Sequence, residues 1–134
     1  MKAFRQAIEG ALAGTGDFDA VERLLADDVV FTSPAAFKPY PGRPLTAAIL
    51  RGVGRVFTEF RYQREIVDGN QSALIFEANI GDTGIAVQGC DFITTNEDGL
   101  ISELTVMVRP LKGAQALADA MGAQFDQILK EATA

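Results

Sequence analysis

The sequence predicts an α+β fold in which a curved antiparallel sheet wraps three N-terminal helices, with a further helix at the C-terminus. Two observations carry that prediction. Up to about residue 57 apolar side chains recur at spacings of three and four, the mark of amphipathic helices, interrupted by one short strand-like run. From residue 58 to 110 the period becomes two, in four strand-like runs whose three connections are rich in turn residues and make an antiparallel meander. Helices with one apolar stripe must bury it, and the sheet can cover all three only by curving around them.

Residues 3 to 13 place Phe4, Ala7, Ile8, Ala11 and Leu12 on one stripe of a first helix, which Gly14-Thr15-Gly16 ends. Asp17 is placed to cap a second helix over residues 18 to 26, with Phe18, Val21, Leu24 and Leu25 inward, by accepting from a free N–H of its first turn. Residues 29 to 32 form a short strand, stopped at Ser33-Pro34 because proline cannot donate to a ladder. Four of the five prolines lie between residues 34 and 44, together with Phe37, Tyr40 and Gly42, which makes a stiff aromatic loop. Thr46 is expected to cap a third helix reaching Phe57, with Leu45, Ile49, Leu50, Val53, Val56 and Phe57 apolar. Gly52 and Gly54 inside it each cost about 1 kcal/mol relative to alanine, which either close packing against the helix or tolerance of small residues accounts for.

In the first run of the meander Phe60, Tyr62, Arg64 and Ile66 alternate with Glu59, Arg61, Gln63 and Glu65; in the next, Leu74, Phe76, Ala78 and Ile80 point one way. The last two runs form a hairpin around Asn96-Glu97-Asp98-Gly99. Pairing Thr95 with Leu100 sets Asp91 opposite Leu104 and Val87 opposite Val108. One face then carries Val87, Gly89, Asp91, Ile93, Leu104, Val106 and Val108, an apolar wall with a single carboxylate in it. The segment from residue 111 to 130 returns to helical spacing, with Ala114, Leu117, Met121, Phe125, Ile128 and Leu129 as its apolar set.

The composition excludes several function classes. With 134 residues, 48% hydrophobic and 22% charged, the chain suits one domain with its own core. No apolar run approaches the roughly 18 residues that would span a bilayer, and the N-terminal segment reads as an amphipathic helix, not a signal peptide. A single cysteine, Cys90, fits a reducing compartment, so a cytoplasmic location and no membrane partner are expected. The net charge of −6 argues against nucleic acid. Locally the balance reverses: Lys38, Arg43, Arg51, Arg55, Arg61 and Arg64 stand against Glu59 alone, which reads as a solvated helix face or as a site for an anionic group. The absence of histidine removes Ser-His-Asp and Cys-His catalysis and the usual zinc and iron sites. Neither a metal nor a cofactor is expected, and acid–base work would fall to Asp, Glu, Tyr, Lys or Cys.

Asp91 is therefore the candidate acid or base. An aspartate in a strand is about as often solvated or bound to backbone as it is functional. Among aliphatic neighbours, however, desolvation raises a carboxyl pKa and leaves an acid able to donate near neutral pH. Tyr62 and Tyr40 are candidate donors to a ligand, although such tyrosines are more often packing residues. Cys90 points away from Asp91 by parity, and Arg109 lies on the face opposite Val108.

The order of elements, the run LLADDVVFTSP, the TAAI of the third helix and the hairpin end DGLISELTVMVRPL resemble the nuclear transport factor 2-like superfamily, in its SnoaL-like and ketosteroid-isomerase-like branch. The resemblance covers nearly everything up to about Leu111. It implies one such domain over residues 1–134, a cone-shaped sheet and a ligand cavity. Aligning the DGLI turn puts Asp91 where ketosteroid isomerases keep a protonated aspartic acid of the oxyanion hole. Aligning LLADDVVFTSP puts Ser33 at the position of their aspartate base, and their oxyanion tyrosine falls near Glu9 or Gly10. Gly89 stands where limonene-epoxide hydrolases need arginine, and the histidines of scytalone dehydratase have no counterpart. The resemblance thus implies a pocket for a mainly apolar carbonyl or polyketide- or steroid-like molecule, lined by Phe31, Phe60, Tyr62, Phe76, Val87, Gly89, Leu104 and Val106. Isomerase, cyclase or dehydratase chemistry at Asp91 is one expectation; a non-catalytic binding or dimerisation module is the other. A homodimer through the outer face of the last strands, where Phe92, Thr94, Thr105 and Met107 project, is expected as well.

Overall fold

The computed structural model describes residues 2–14 and 16–133; Thr15 of the expected Gly-Thr-Gly stop lies outside the described residues. In chain order the elements are α1 (Lys2–Ala13), α2 (Phe18–Glu22), β1 (Leu25–Thr32), β2 (Tyr40–Pro41), α3 (Arg43–Gly54), β3 (Phe57–Asp68), β4 (Gln71–Ile80), β5 (Ile85–Thr95), β6 (Ile101–Arg109), α4 (Leu111–Ala123) and α5 (Phe125–Ala132). The strands form one six-stranded sheet in the order β2-β1-β6-β5-β4-β3. The meander from β3 to β6 is antiparallel throughout, and β1 joins β6 as one parallel seam. Helices and sheet bury a common core that includes Phe4 and Ile8 of α1, Ile49 and Leu50 of α3, and Leu74, Phe76, Ile93 and Leu104 of the sheet.

Competition between sheet and helix explains the shifted boundaries. Asp17 caps α2 by accepting from the Ala20 N–H at 3.2 Å. The helix nevertheless stops at Glu22 instead of residue 26, because Leu25 pairs with Ile101 and the Ile101 N–H donates to the Leu24 carbonyl at 2.8 Å. β1 is correspondingly longer than expected. Thr46 does not cap α3: Gly42 occupies that position with φ of 96°, Pro44 lies in the first turn, and Thr46 is fully buried inside the helix. The glycines of α3 permit close packing of other helices. A Cβ on Gly52 would lie 2.8 Å from Ile128 Cδ1 of α5, and one on Gly54 would lie 2.5 Å from Phe18 Cζ. The expected C-terminal helix is broken at Gln124 into α4 and α5, so Leu117 and Ile128 are buried from two directions while Leu129 is exposed.

Two bulges redirect β3. Glu59, at φ of 51°, lies in the first; the second falls between Tyr62, paired with Phe76, and Arg64, paired with Ile75. Each extra residue inverts the alternation. Phe60 and Tyr62 consequently face inward, whereas Arg64 and Ile66, expected beside them, pair with Ile75 and Ala73 on the outer face. The hairpin register also differs from the simple turn. Asp91 pairs with Val106 and Gly89 with Val108, because the loop is one residue longer and Ser102 is bulged out opposite Thr94 and Thr95. Two slips of one residue restore parity, so Val87, Gly89, Asp91, Ile93 and Leu104 all remain buried on one face.

Candidate functional site

Asp91 sits within this buried face, and the Tyr62 hydroxyl donates to its Oδ2 at 2.8 Å. The ladder explains how they meet. Tyr62 pairs with Phe76, and Phe76 with Gly89, so the tyrosine starts two residues away from Asp91 along β5 and crosses β4 diagonally. Its ring is held edge-on by Phe60, at 4.9 Å between centroids, and by Phe76, at 6.3 Å. The Arg5 guanidinium lies 5.7 Å from the Tyr62 ring centre, an arrangement favourable to a cation. Arg5 is in turn engaged by Glu9 of α1 at 3.4 Å and by Glu65 at 3.8 Å, the latter turned toward α1 by the second bulge.

Burial governs the electrostatics here. Loss of hydration pushes the Asp91 carboxyl up to about 7, against the opposing pull of the Tyr62 hydrogen bond, which favours the carboxylate. Burial, reinforced by the nearby Asp91, drives the Tyr62 phenol well above the ordinary tyrosine range. Tyr62 therefore stays a donor across the physiological range, and Asp91 exists near neutrality as a mixture of acid and carboxylate.

Asp91 and Tyr62 line a small apolar cavity of about 50 Å³ together with Phe31, Phe60, Phe76, Leu104 and Val106. They are its only ionisable groups among the described residues. Two expected lining positions belong elsewhere. Gly89 contributes no wall, because the Phe76 ring covers it: a Cβ there would lie 2.2 Å from Phe76 Cζ. Val87 packs beneath α4, its Cγ1 only 2.4 Å from where a Cβ on Gly113 would be. Most of the rest of the lining comes from the helices and was not singled out by the sequence, notably Phe4, Ile8, Phe18, Leu50, Val53 and Leu117. The available signal was the apolar stripe of each helix, which marks burial but does not separate packing from lining.

A second cavity of about 270 Å³ adjoins the first. Phe31, Pro34, Val53 and Leu117 line both, and Tyr40, Ile49, Ala118, Met121, Phe125 and Ile128 help to enclose the larger one. Ser33 borders this outer cavity, with Oγ accepting from the N–H groups of Ala35 and Ala36. On the outer face of the sheet Cys90 and Arg109 share a shallow depression with Arg64 and Met107. The basic cluster is largely engaged by carboxylates: Arg43 with Asp27, Arg51 with Asp19 and Glu22, Arg55 with Glu131, and Arg61 with Glu77. No helix is long and apolar enough to cross a membrane, and the described residues contain no cluster of three potential metal ligands.

Comparison with known proteins gives the class to which this chain belongs. The family model for the SnoaL-like domain matches residues 4–104, and the chain belongs to that family, within the nuclear transport factor 2-like superfamily. A steroid delta-isomerase from Pseudomonas aeruginosa is 38% identical, with a TM-score of 0.83 over 96% of this chain and 93% of that one. An uncharacterized protein with a cystatin-like fold from Silicibacter pomeroyi DSS-3 is 37% identical, with a TM-score of 0.86 over 97% of this chain and 89% of that one. A hypothetical protein with a ketosteroid isomerase-like fold from Catenulispora acidiphila DSM 44928, in complex with trimethylamine, shares the fold at 16% identity and a TM-score of 0.64, over 87% and 92% of the two chains. No curated protein gives a significant match.

Proposed function

We propose that this SnoaL-like protein binds a mainly apolar carbonyl compound, with the Asp91 carboxylic acid donating a hydrogen bond to the carbonyl oxygen. The single observation that carries the reading is the 2.8 Å Tyr62–Asp91 contact within an otherwise apolar cavity. Tyr62 donates to one carboxyl oxygen, which orients the group and leaves the other oxygen to carry the proton toward a ligand. In a low-dielectric site such a donor is worth more than in water, and its strength increases as charge develops on the bound oxygen. The similarity to a steroid delta-isomerase from Pseudomonas aeruginosa supports isomerase chemistry on a small apolar molecule. The site here has its own composition, since Ser33 bears no carboxylate and its hydroxyl is engaged by backbone N–H groups.

A group titrating near neutrality can also give and take a proton, as isomerases, cyclases and dehydratases require. The second reading, a non-catalytic binding module, is favoured by the absence of another acid–base group besides Tyr62 in the inner cavity among the described residues. The proposal includes a homodimer through the outer sheet face and a cytoplasmic setting for the single thiol.

Calorimetric titration with 2-heptanone tests the binding role. At pH 5.5 the wild type should bind about tenfold more tightly than Asp91→Leu, the factor that corresponds to about 1.4 kcal/mol for one lost hydrogen bond. Wild-type affinity should fall similarly at pH 8.5, where the acid is ionised. Equal affinities throughout would refute the carbonyl-donor role. Deuterium exchange at the ketone α-carbon, followed by NMR in D₂O, separates the two classes: acceleration by the wild type but not by Asp91→Leu marks an enzyme, and no acceleration marks a binding module.

A further inference from the structure

We infer that the two adjoining cavities act as one ligand site, the inner chamber taking the carbonyl head and the outer chamber a flexible hydrocarbon tail, so that the ligand class is a medium-chain ketone or a similarly slender molecule. The inference rests on the carbonyl-donor reading of Asp91 and adds the size and shape of the ligand. The inner chamber, about 50 Å³, is too small for a whole organic ligand. At the roughly 30 Å³ that a water-sized group occupies in a liquid, it holds about two such groups, enough for a carbonyl and a neighbouring carbon.

The remainder of the ligand must go where the walls continue. Phe31, Pro34, Val53 and Leu117 border both chambers, so a ligand spanning the two would pass between these four side chains. On the same scale the outer chamber, about 270 Å³, holds about nine groups. Its wall is dominated by Ile49, Val53, Leu117, Met121, Phe125 and Ile128, which suits a hydrocarbon. Asp91 and Tyr62 line the inner chamber and not the outer one, which assigns the polar head to the inner chamber and the tail to the outer. Together the chambers accommodate about eleven such groups, roughly two-thirds of a four-ring steroid skeleton before its substituents are counted. A ligand that must thread between the four shared side chains is more readily a flexible chain than a rigid fused-ring plate.

A homologous series of 2-alkanones, from 2-butanone to 2-tridecanone, together with a steroid 3-ketone, tests this by calorimetry at pH 5.5. In the wild type affinity should rise about fourfold per added methylene, the fold-change that corresponds to about 0.8 kcal/mol per buried CH₂, and should level off once the tail reaches about nine carbons. The steroid should bind more weakly than 2-undecanone. Ala118→Phe, which adds bulk to the outer chamber from α4, should abolish the chain-length gain, so that 2-undecanone binds no more tightly than 2-butanone. An affinity independent of chain length, a gain that survives in Ala118→Phe, or tighter binding of the steroid would each overturn the two-chamber inference. The Asp91→Leu variant keeps the two claims apart. If it weakens every ketone by the same factor while chain length has no effect, the carbonyl-donor reading stands and the tail chamber falls. If chain length matters but Asp91→Leu has no effect, the donor reading falls.

Discussion

At the scale of a single residue, Asp91 ties the stability of the fold to pH. Burial moves its pKa from the ordinary 3.8 up to about 7, so between those values the folded chain holds a proton that the unfolded chain has released. Stability therefore falls as pH rises from about 4 to about 7. Below that window both states are protonated and there is no cost; above it the full cost is present. A shift of roughly three units corresponds to about 4 kcal/mol at 1.36 kcal/mol per unit. Asp91→Asn keeps an acceptor for Tyr62 and cannot ionise. In urea melts it should lie within about 1 kcal/mol of the wild type at pH 4 and exceed it by about 2 to 4 kcal/mol at pH 8. A wild type that does not lose ground to the variant across this range would contradict a buried acid.

At the scale of elements, bulges and glycines aim the site. Gly89 has no side chain, so the Phe76 ring lies over it, and Tyr62 packs edge-on against that ring where it reaches Asp91. Gly89→Ala would set a Cβ 2.2 Å from Phe76 Cζ and 2.9 Å from the Met107 carbonyl oxygen, and the backbone atom cannot rotate away. The expected cost is about 1 to 3 kcal/mol in thermal or denaturant unfolding. Gly122→Ala in α4 is the contrasting case, since its Cβ meets nothing within 4 Å, and it should be neutral or stabilise by up to about 1 kcal/mol. Equal effects of the two changes would show that the Phe76 ring does not occupy the place argued for it. Both positions read alike in the sequence, as glycines inside regular elements. What separates them is the long-range packing that brings Phe76 across from the neighbouring strand.

At the scale of the whole molecule, the outer sheet face is the remaining feature that calls for a partner. Val30, Ile66, Phe92 and Met107 are exposed on or beside it, and large apolar side chains grouped on one face are what an interface would cover. A homodimer of standard size, burying about 1,600 Å² in total, would cover them. Light scattering at micromolar concentration should give twice the protomer mass, and Met107→Glu, which puts a charge on this exposed apolar face, should give the protomer with an unchanged far-ultraviolet spectrum. A wild-type protomer would refute the dimer. The fold was legible because periodicity survives local error. The hairpin register was off by two residues, yet Asp91 remained on the buried face because the longer loop and the Ser102 bulge together restored parity. In β3 a single bulge between Tyr62 and Arg64 sufficed to send Arg64 and Ile66 outward, and nothing in the local composition marks it. The carboxylate was legible as a charged residue on an apolar face. Its tyrosine partner was only one candidate donor among others, since the contact depends on strand pairing 29 residues away in sequence.

The most direct measurement is an NMR titration of the Asp91 carboxyl carbon from pH 3 to 9, in the wild type and in Tyr62→Phe. Burial in an apolar cavity predicts a wild-type midpoint near 7, and removal of the Tyr62 hydroxyl, which stabilises the carboxylate, predicts a still higher one. A wild-type midpoint at or below about 4, or a downward shift in Tyr62→Phe, would contradict the account of Asp91 as the cavity's acid.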